Sequence, residues 1–177
     1  MQLHIADVVI DHEYPHLLIT EESADPSTGK DAKHVKSDAG VREVPLHPDL
    51  IELGFADFVR NRNKSKGNGK RLFREIRYGA DGQPSTIASK WFGRLLDSVG
   101  LSDPTLVFHS FRHGMEDALR NAEKPQYVID RILGHTGQAS EGDGYGAGTA
   151  LAINTKAMIA AKLPVSVAGL LGEAGHE

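Results

Sequence analysis

Glycine placement is what most restricts how this chain can fold. Val128, Ile129, Ile132 and Leu133 have the spacing of one helix face and stop at Gly134, after which residues 136–148 hold five glycines (137, 142, 144, 146 and 148). A helix does not run through such a stretch, because glycine loses the most backbone freedom on ordering and offers no side chain to pack. The chain is therefore held to a helix opened by Pro125, a glycine stop, His135 just past it, and a mobile loop carrying Tyr145. Helical spacing resumes near residues 149–163 with Leu151, Met158 and Ile159.

Upstream, Phe111, Met115 and Leu119 recur every four residues and predict the buried stripe of a helix starting near Ser110. Arg112 lies about 100° around from Phe111, at the edge of that stripe, and so can point into a cleft. His109, three residues earlier, projects from the same side. Ile87, Trp91, Leu95 and Val99, with Leu96 beside them and Gly100 as the stop, predict a core helix in which Trp91 is packing. A further helix opens at Pro48 and carries Leu50, Ile51, Leu53, Phe55, Phe58 and Val59 through Gly54, and an apolar knot follows at Leu72 and Phe73. Short β-rich runs at residues 8–10, 17–20 and 41–46, split by a polar, turn-rich insertion at 21–40, predict a three-stranded antiparallel sheet. The expectation is an α+β domain, mainly helical, with that sheet at one edge. At 177 residues the chain suits one domain with a substantial core. The tail from residue 164 holds Val165, Val167, Leu170 and Leu171, which are expected to dock on this chain or on a neighbouring copy.

The chain has no cysteine, which excludes disulfides and thiolate metal sites. No apolar run approaches a membrane span and the first residues lack a basic-then-apolar signal, so a cytoplasmic location is expected. The net charge of −4 is unfavourable for a partner made of phosphates, and local distribution matters more. Residues 60–77 contain eight Lys or Arg against one acid, Glu75. Broken by glycine and asparagine, this stretch reads as a flexible basic loop, and Arg60, Arg62, Lys64, Lys66, Lys70 and Arg71 become candidate phosphate contacts.

His109, Arg112, His135 and Tyr145 are the residues with chemistry. His135 follows Arg112 by 23 residues and Tyr145 follows His135 by 10. Two imidazoles and a guanidinium supply what a phosphodiester needs around its non-bridging oxygens as charge develops, and a phenol on a mobile loop can act as an oxygen nucleophile. In this order and spacing they resemble the catalytic domain of the tyrosine recombinases, the phage-type integrases. A second segment, VKSDAGVREVPLH at residues 35–47, resembles that family's β-hairpin, a turn lysine followed by Arg-x-Val-Pro-Leu.

The resemblance implies site-specific DNA recombination or integration through a 3′-phosphotyrosyl intermediate. Tyr145 would be the nucleophile, Arg112 the phosphate clamp, His135 a hydrogen-bond donor to the phosphate and His109 an aid to proton transfer. Lys36 would be the acid for the leaving 5′-oxygen, with Lys30 and Lys33 as competitors. Double-stranded DNA and other copies of the chain on DNA would be the partners, with no metal, no other cofactor, no small-molecule substrate and no membrane. The family has another arginine ahead of a Leu-x-x-x-Asp stretch that residues 3–7 resemble, and its position falls before residue 1. Arg42 belongs to the hairpin motif and does not substitute for it. The family's DNA-clamping domain likewise has no counterpart here, so weak DNA binding and weak or no cleavage are expected from this chain alone. Two other readings stay open. One is a non-catalytic DNA-binding or assembly fragment. The other is a metal site on His109 and His113, four residues apart on one helix, with Glu116 or His135 as third ligand.

Overall fold

The computed structural model describes residues 3–20, 41–64, 71–77, 79–80, 84–135 and 147–163. Among these the architecture is α+β, six α-helices with one three-stranded antiparallel sheet.

The sheet runs in the order β1 (Val8–Val9), β2 (His16–Ile19), β3 (Arg42–Pro45), where the β-rich runs predicted it. Val8 faces Leu17, and Leu17, Leu18 and Ile19 face Val44, Glu43 and Arg42. Pro45 ends the outer strand, where its missing N–H costs no ladder bond. The pairing is continued by the Leu46 N–H, which donates to the Pro15 carbonyl at 2.8 Å. Ahead of β1, a 3₁₀ turn, Ile5–Asp7, is closed by the His4 N–H donating to the buried Asp7 carboxylate at 2.7 Å.

Two apolar clusters hold the fold. The larger joins α4 (Ser110–Asn121), α5 (Gln126–Leu133) and α6 (Ala147–Ala160) through Leu119, Val128, Ile129, Ile132, Leu133 and Met158, with Val44 of β3 packed against it. Val128, Ile129, Ile132 and Leu133 are all buried, as their spacing predicts. Each such aliphatic side chain contributes about 1.5–3 kcal/mol by leaving water. The smaller cluster gathers Val8, Val59 and Leu72, flanked by a ladder of Phe55, Phe58 and Phe73 with ring centroids 6.2 and 6.1 Å apart.

Gly54 divides the helix that starts at Pro48. Its φ of +86° cannot continue a right-handed helix, so α1 (Pro48–Glu52) and α2 (Phe55–Lys64) are separate elements and Leu53 is exposed. The N-terminus of α1 is capped by His47, whose Nδ1 accepts from the Asp49 N–H at 3.2 Å while Nε2 donates to the Ala161 carbonyl at 3.0 Å. One imidazole thus ties the end of the sheet to the end of α6.

Three packing expectations are overturned. α3 (Pro84–Ser98) forms where periodicity predicts it, but its stripe is not core: Trp91 is 57% exposed and Ile87, Leu95 and Val99 are exposed with it. Among the described residues α3 engages instead through buried Ala88 and through Phe92, whose ring meets Phe108 and Phe111 at 5.5 and 5.4 Å. Phe111, expected at the base of the α4 stripe, joins that aromatic group and is 64% exposed. Ile159 of α6 also faces outward, while Leu151 and Met158 are buried. No helix among the described residues is long and apolar enough to cross a membrane.

Candidate active site

The C-terminus of α5 is the centre of the site. Gly134 takes the left-handed conformation (φ 70°, ψ 42°), which folds the chain back so that the Gly134 and His135 N–H groups both donate to the Asp130 carbonyl, at 2.6 and 3.0 Å. The Asp130 side chain grips the same residue a second way, with Oδ1 lying 3.4 Å from His135 Nδ1 and also accepting from Gln126 Nε2 at 2.9 Å. A carboxylate on one ring nitrogen fixes the ring plane and leaves Nε2 as the atom for outside chemistry. Asp130 was missed in the sequence; its only signal is a carboxylate one turn before a helix-terminal histidine.

Arg42 reaches the same turn from the sheet. Its Nε donates to the Ile132 carbonyl at 3.0 Å, at the end of α5 where unpaired carbonyls carry partial negative charge. Its guanidinium lies flat on Gly134: a Cβ at that position would stand 2.5 Å from Nη1, 2.6 Å from Cζ and 2.9 Å from Nε. Burial, first, and the charge of Arg112, second, hold the Arg42 pKa below its ordinary value. Arg112, half-buried in the first turn of α4, is therefore within electrostatic reach of the guanidinium that covers the Gly134–His135 turn. Arg42 of β3 and His135 are both held at the C-terminal turn of α5, and Arg112 of α4 is near enough for its charge to act on Arg42.

His109 stands at the start of α4, three residues before Arg112, whose N–H donates to its carbonyl at 3.0 Å. It precedes α4 with helical φ and ψ and gives no capping bond; its ring lies edge-on to His113, centroids 5.0 Å apart at 82°. His113 approaches Glu116 at 4.0 Å, yet that carboxylate is paired with Arg120, and no three His, Asp or Glu side chains among the described residues are placed to share a metal ion.

The basic stretch after residue 60 is not a loop at its start: residues 60–64 are the last turns of α2. Cations suit a helix C-terminus, and apolar Phe55, Phe58 and Val59 anchor the preceding turns, so the helix extends into the start of the run. Arg60 pairs with Asp11 at 3.1 Å and Asp57 at 3.2 Å, which raise its pKa in that order. Arg62 pairs with Glu75 and lies 5.0 Å over the Phe58 ring, and Arg71 donates to the Ile76 carbonyl at 3.1 Å. These arginines have partners within the fold, Arg60 one as distant in sequence as Asp11, while Lys64 is exposed. Tyr145, Lys36, Lys30, Lys33, Lys66, Lys70 and the tail from residue 164 lie outside the described residues.

Comparison of the chain with known families, with curated proteins and with solved structures returns no match.

Proposed function

We propose that this chain is the catalytic domain of a DNA strand-breaking and rejoining enzyme of the tyrosine-recombinase type. The observation that carries the proposal is the junction of α4, β3 and α5. It supports the reading in that Arg42 and His135 are both held at the C-terminal turn of α5, and that the charge of Arg112, 23 residues before His135, acts on Arg42. In this reading Tyr145 Oη attacks a backbone phosphorus, a tyrosine–phosphate bond forms, and the bond to the 5′-oxygen breaks. Lys36 gives its proton to that oxygen. A 5′-hydroxyl from a partner strand then attacks the phosphotyrosine and restores the diester. Arg112 holds one non-bridging oxygen and His135 Nε2 faces the other. A preorganised donor of this kind is worth about 3–4 kcal/mol of barrier, so each removes a factor of about 10²–10³ when lost. Tyrosine's unperturbed pKa of roughly 10 makes nearby positive charge necessary for attack at neutral pH. His109 assists the proton transfers, Arg60, Arg62, Lys64, Lys66, Lys70 and Arg71 run along the duplex, and copies assemble on the DNA.

The test is covalent trapping on nicked duplexes whose sequence around the nick is randomised, resolved on a denaturing gel. The expected result is a slow covalent band that persists in EDTA and disappears in Tyr145→Phe. DNA binding with no such band at any sequence would make the chain a binding or assembly fragment. A band lost with EDTA would favour a metal on His109 and His113.

A further inference from the structure

We propose that the outward half of α3 is the face on which a second copy of this chain docks, with no DNA needed. Ile87, Trp91, Leu95 and Val99 recur every four residues along α3 and just past its end, each about 40° around from the last, and all four are exposed. Phe92, about 60° around from Leu95, carries the stripe onto the rings of Phe108 and Phe111, both exposed as well. Nine of the thirteen exposed large hydrophobic side chains among the described residues fall between residues 87 and 111. The stripe and the two rings together present on the order of 700 Å², above the largest apolar patch of an ordinary monomer and within what one partner buries in a specific interface.

The occupant follows from area and charge. A twofold pairing needs a surface that matches itself, since each copy offers the other the same patch. Beside the apolar stripe, Lys90, Arg94 and Asp97 are exposed along one flank of α3, within about 80° of Ile87 on the side away from Phe92. A twofold axis perpendicular to two packed helices sets them antiparallel and keeps the same flank of each on the same side. Lys90 and Arg94 of one copy then come against Asp97 of the other, twice over, while Trp91 and Leu95 pack across the axis. Nucleic acid would want this flank basic throughout, and so would a membrane surface. An interface toward the lower end of the specific class forms at micromolar concentrations and comes apart on dilution. Nothing in this depends on the recombinase reading, which the nicked-duplex trap tests by itself.

The experiment uses the full chain without DNA, followed by sedimentation velocity from roughly 1 µM to several hundred µM. Expected are single chains at the dilute end and dimers, with nothing larger, at the concentrated end. Trp91 is the chain's one tryptophan, so its emission reports on the face itself and should move to shorter wavelength over the same range. Leu95→Glu should weaken dimerisation at least about tenfold and leave the circular dichroism of the dilute chain unchanged. The charged flank gives a second set of variants. Asp97→Lys makes the flank basic throughout and should also loosen the dimer. Adding Lys90→Glu and Arg94→Glu to it reverses every charge in the row and should restore the dimer. A chain that stays single at every concentration, a Trp91 emission that never shifts, or a dimer unmoved by Leu95→Glu would overturn the proposal. Failure of the reversed flank to restore association would overturn the antiparallel pairing. A dimer lost only on removal of residues 164–177 would move the contact to the tail, and binding of the dilute chain to vesicles containing anionic lipid would give the face to a membrane; either sinks the idea.

Discussion

Gly134 answers to two separate constraints. Its φ of 70° excludes most side chains on backbone grounds, and the Arg42 guanidinium excludes them on steric grounds. Gly134→Ala should therefore cost about 1–2 kcal/mol for the left-handed conformation. It should also expel Arg42 from its seat and break the Nε bond to Ile132, for about 1 kcal/mol more. The two parts separate in a urea-denaturation cycle. In an Arg42→Ala background that bond is already gone, so Gly134→Ala should cost only the backbone part, and the double mutant should be about 1 kcal/mol more stable than the sum of the singles. Additive costs would show that the guanidinium moves aside freely. Half of this was legible in the sequence. A glycine after an apolar helix face announces a stop, whereas Arg42 lies 90 residues from Ile132, and nothing local tells where a strand-borne side chain will land.

Helices were legible as helices, and their surroundings were not. Periodicity reports that one face of α3 is apolar; it does not report what that face meets, and Trp91, Leu95 and Val99 are exposed. The four buried positions of α5 met the same criterion and do form core, because α4, α6 and β3 close over them. The difference is measurable. Leu95→Gln should change the unfolding free energy by no more than about 0.5 kcal/mol, as at other exposed sites. Ile129→Ala should cost about 2–5 kcal/mol, through lost burial and the cavity left behind. A large loss at Leu95 would mean that α3 is covered in solution. The exit from α2 carries the same lesson for charge. Arg62, which read as part of a flexible basic loop, instead lies over Phe58 and pairs with Glu75. Its composition suggested mobility, but a stacked guanidinium at a helix C-terminus opposes fraying.

At the scale of the whole molecule, the antiparallel sheet and most helix positions were readable, because each is a short-range pattern. The division into two apolar clusters was not. It depends on Gly54 turning α2 away from α1, and on Leu72 returning to the start of the chain, where its N–H donates to the Leu3 carbonyl at 2.9 Å. Strand β3 joins the two halves, with Leu17 and Val44, paired in the sheet, packing on different clusters. The candidate site lies along this seam, where Arg42 of β3 meets the C-terminal turn of α5.

That seam also sets an order in time. The bonds that close it are long: Arg42 to Ile132 spans 90 residues and His47 to Ala161 spans 114. Contacts between α4 and α5 are local and form early, while closing loops of this size costs entropy before any contact repays it. The junction should therefore assemble after the rate-limiting step. Arg42→Ala should speed unfolding and leave the folding rate almost untouched, a φ-value near zero, whereas Leu119→Ala in α4 should slow folding. A high φ-value at Arg42 in stopped-flow refolding would reverse that order. If it holds, no partly folded form of this chain carries the assembled junction, which exists only once the last long loop has closed.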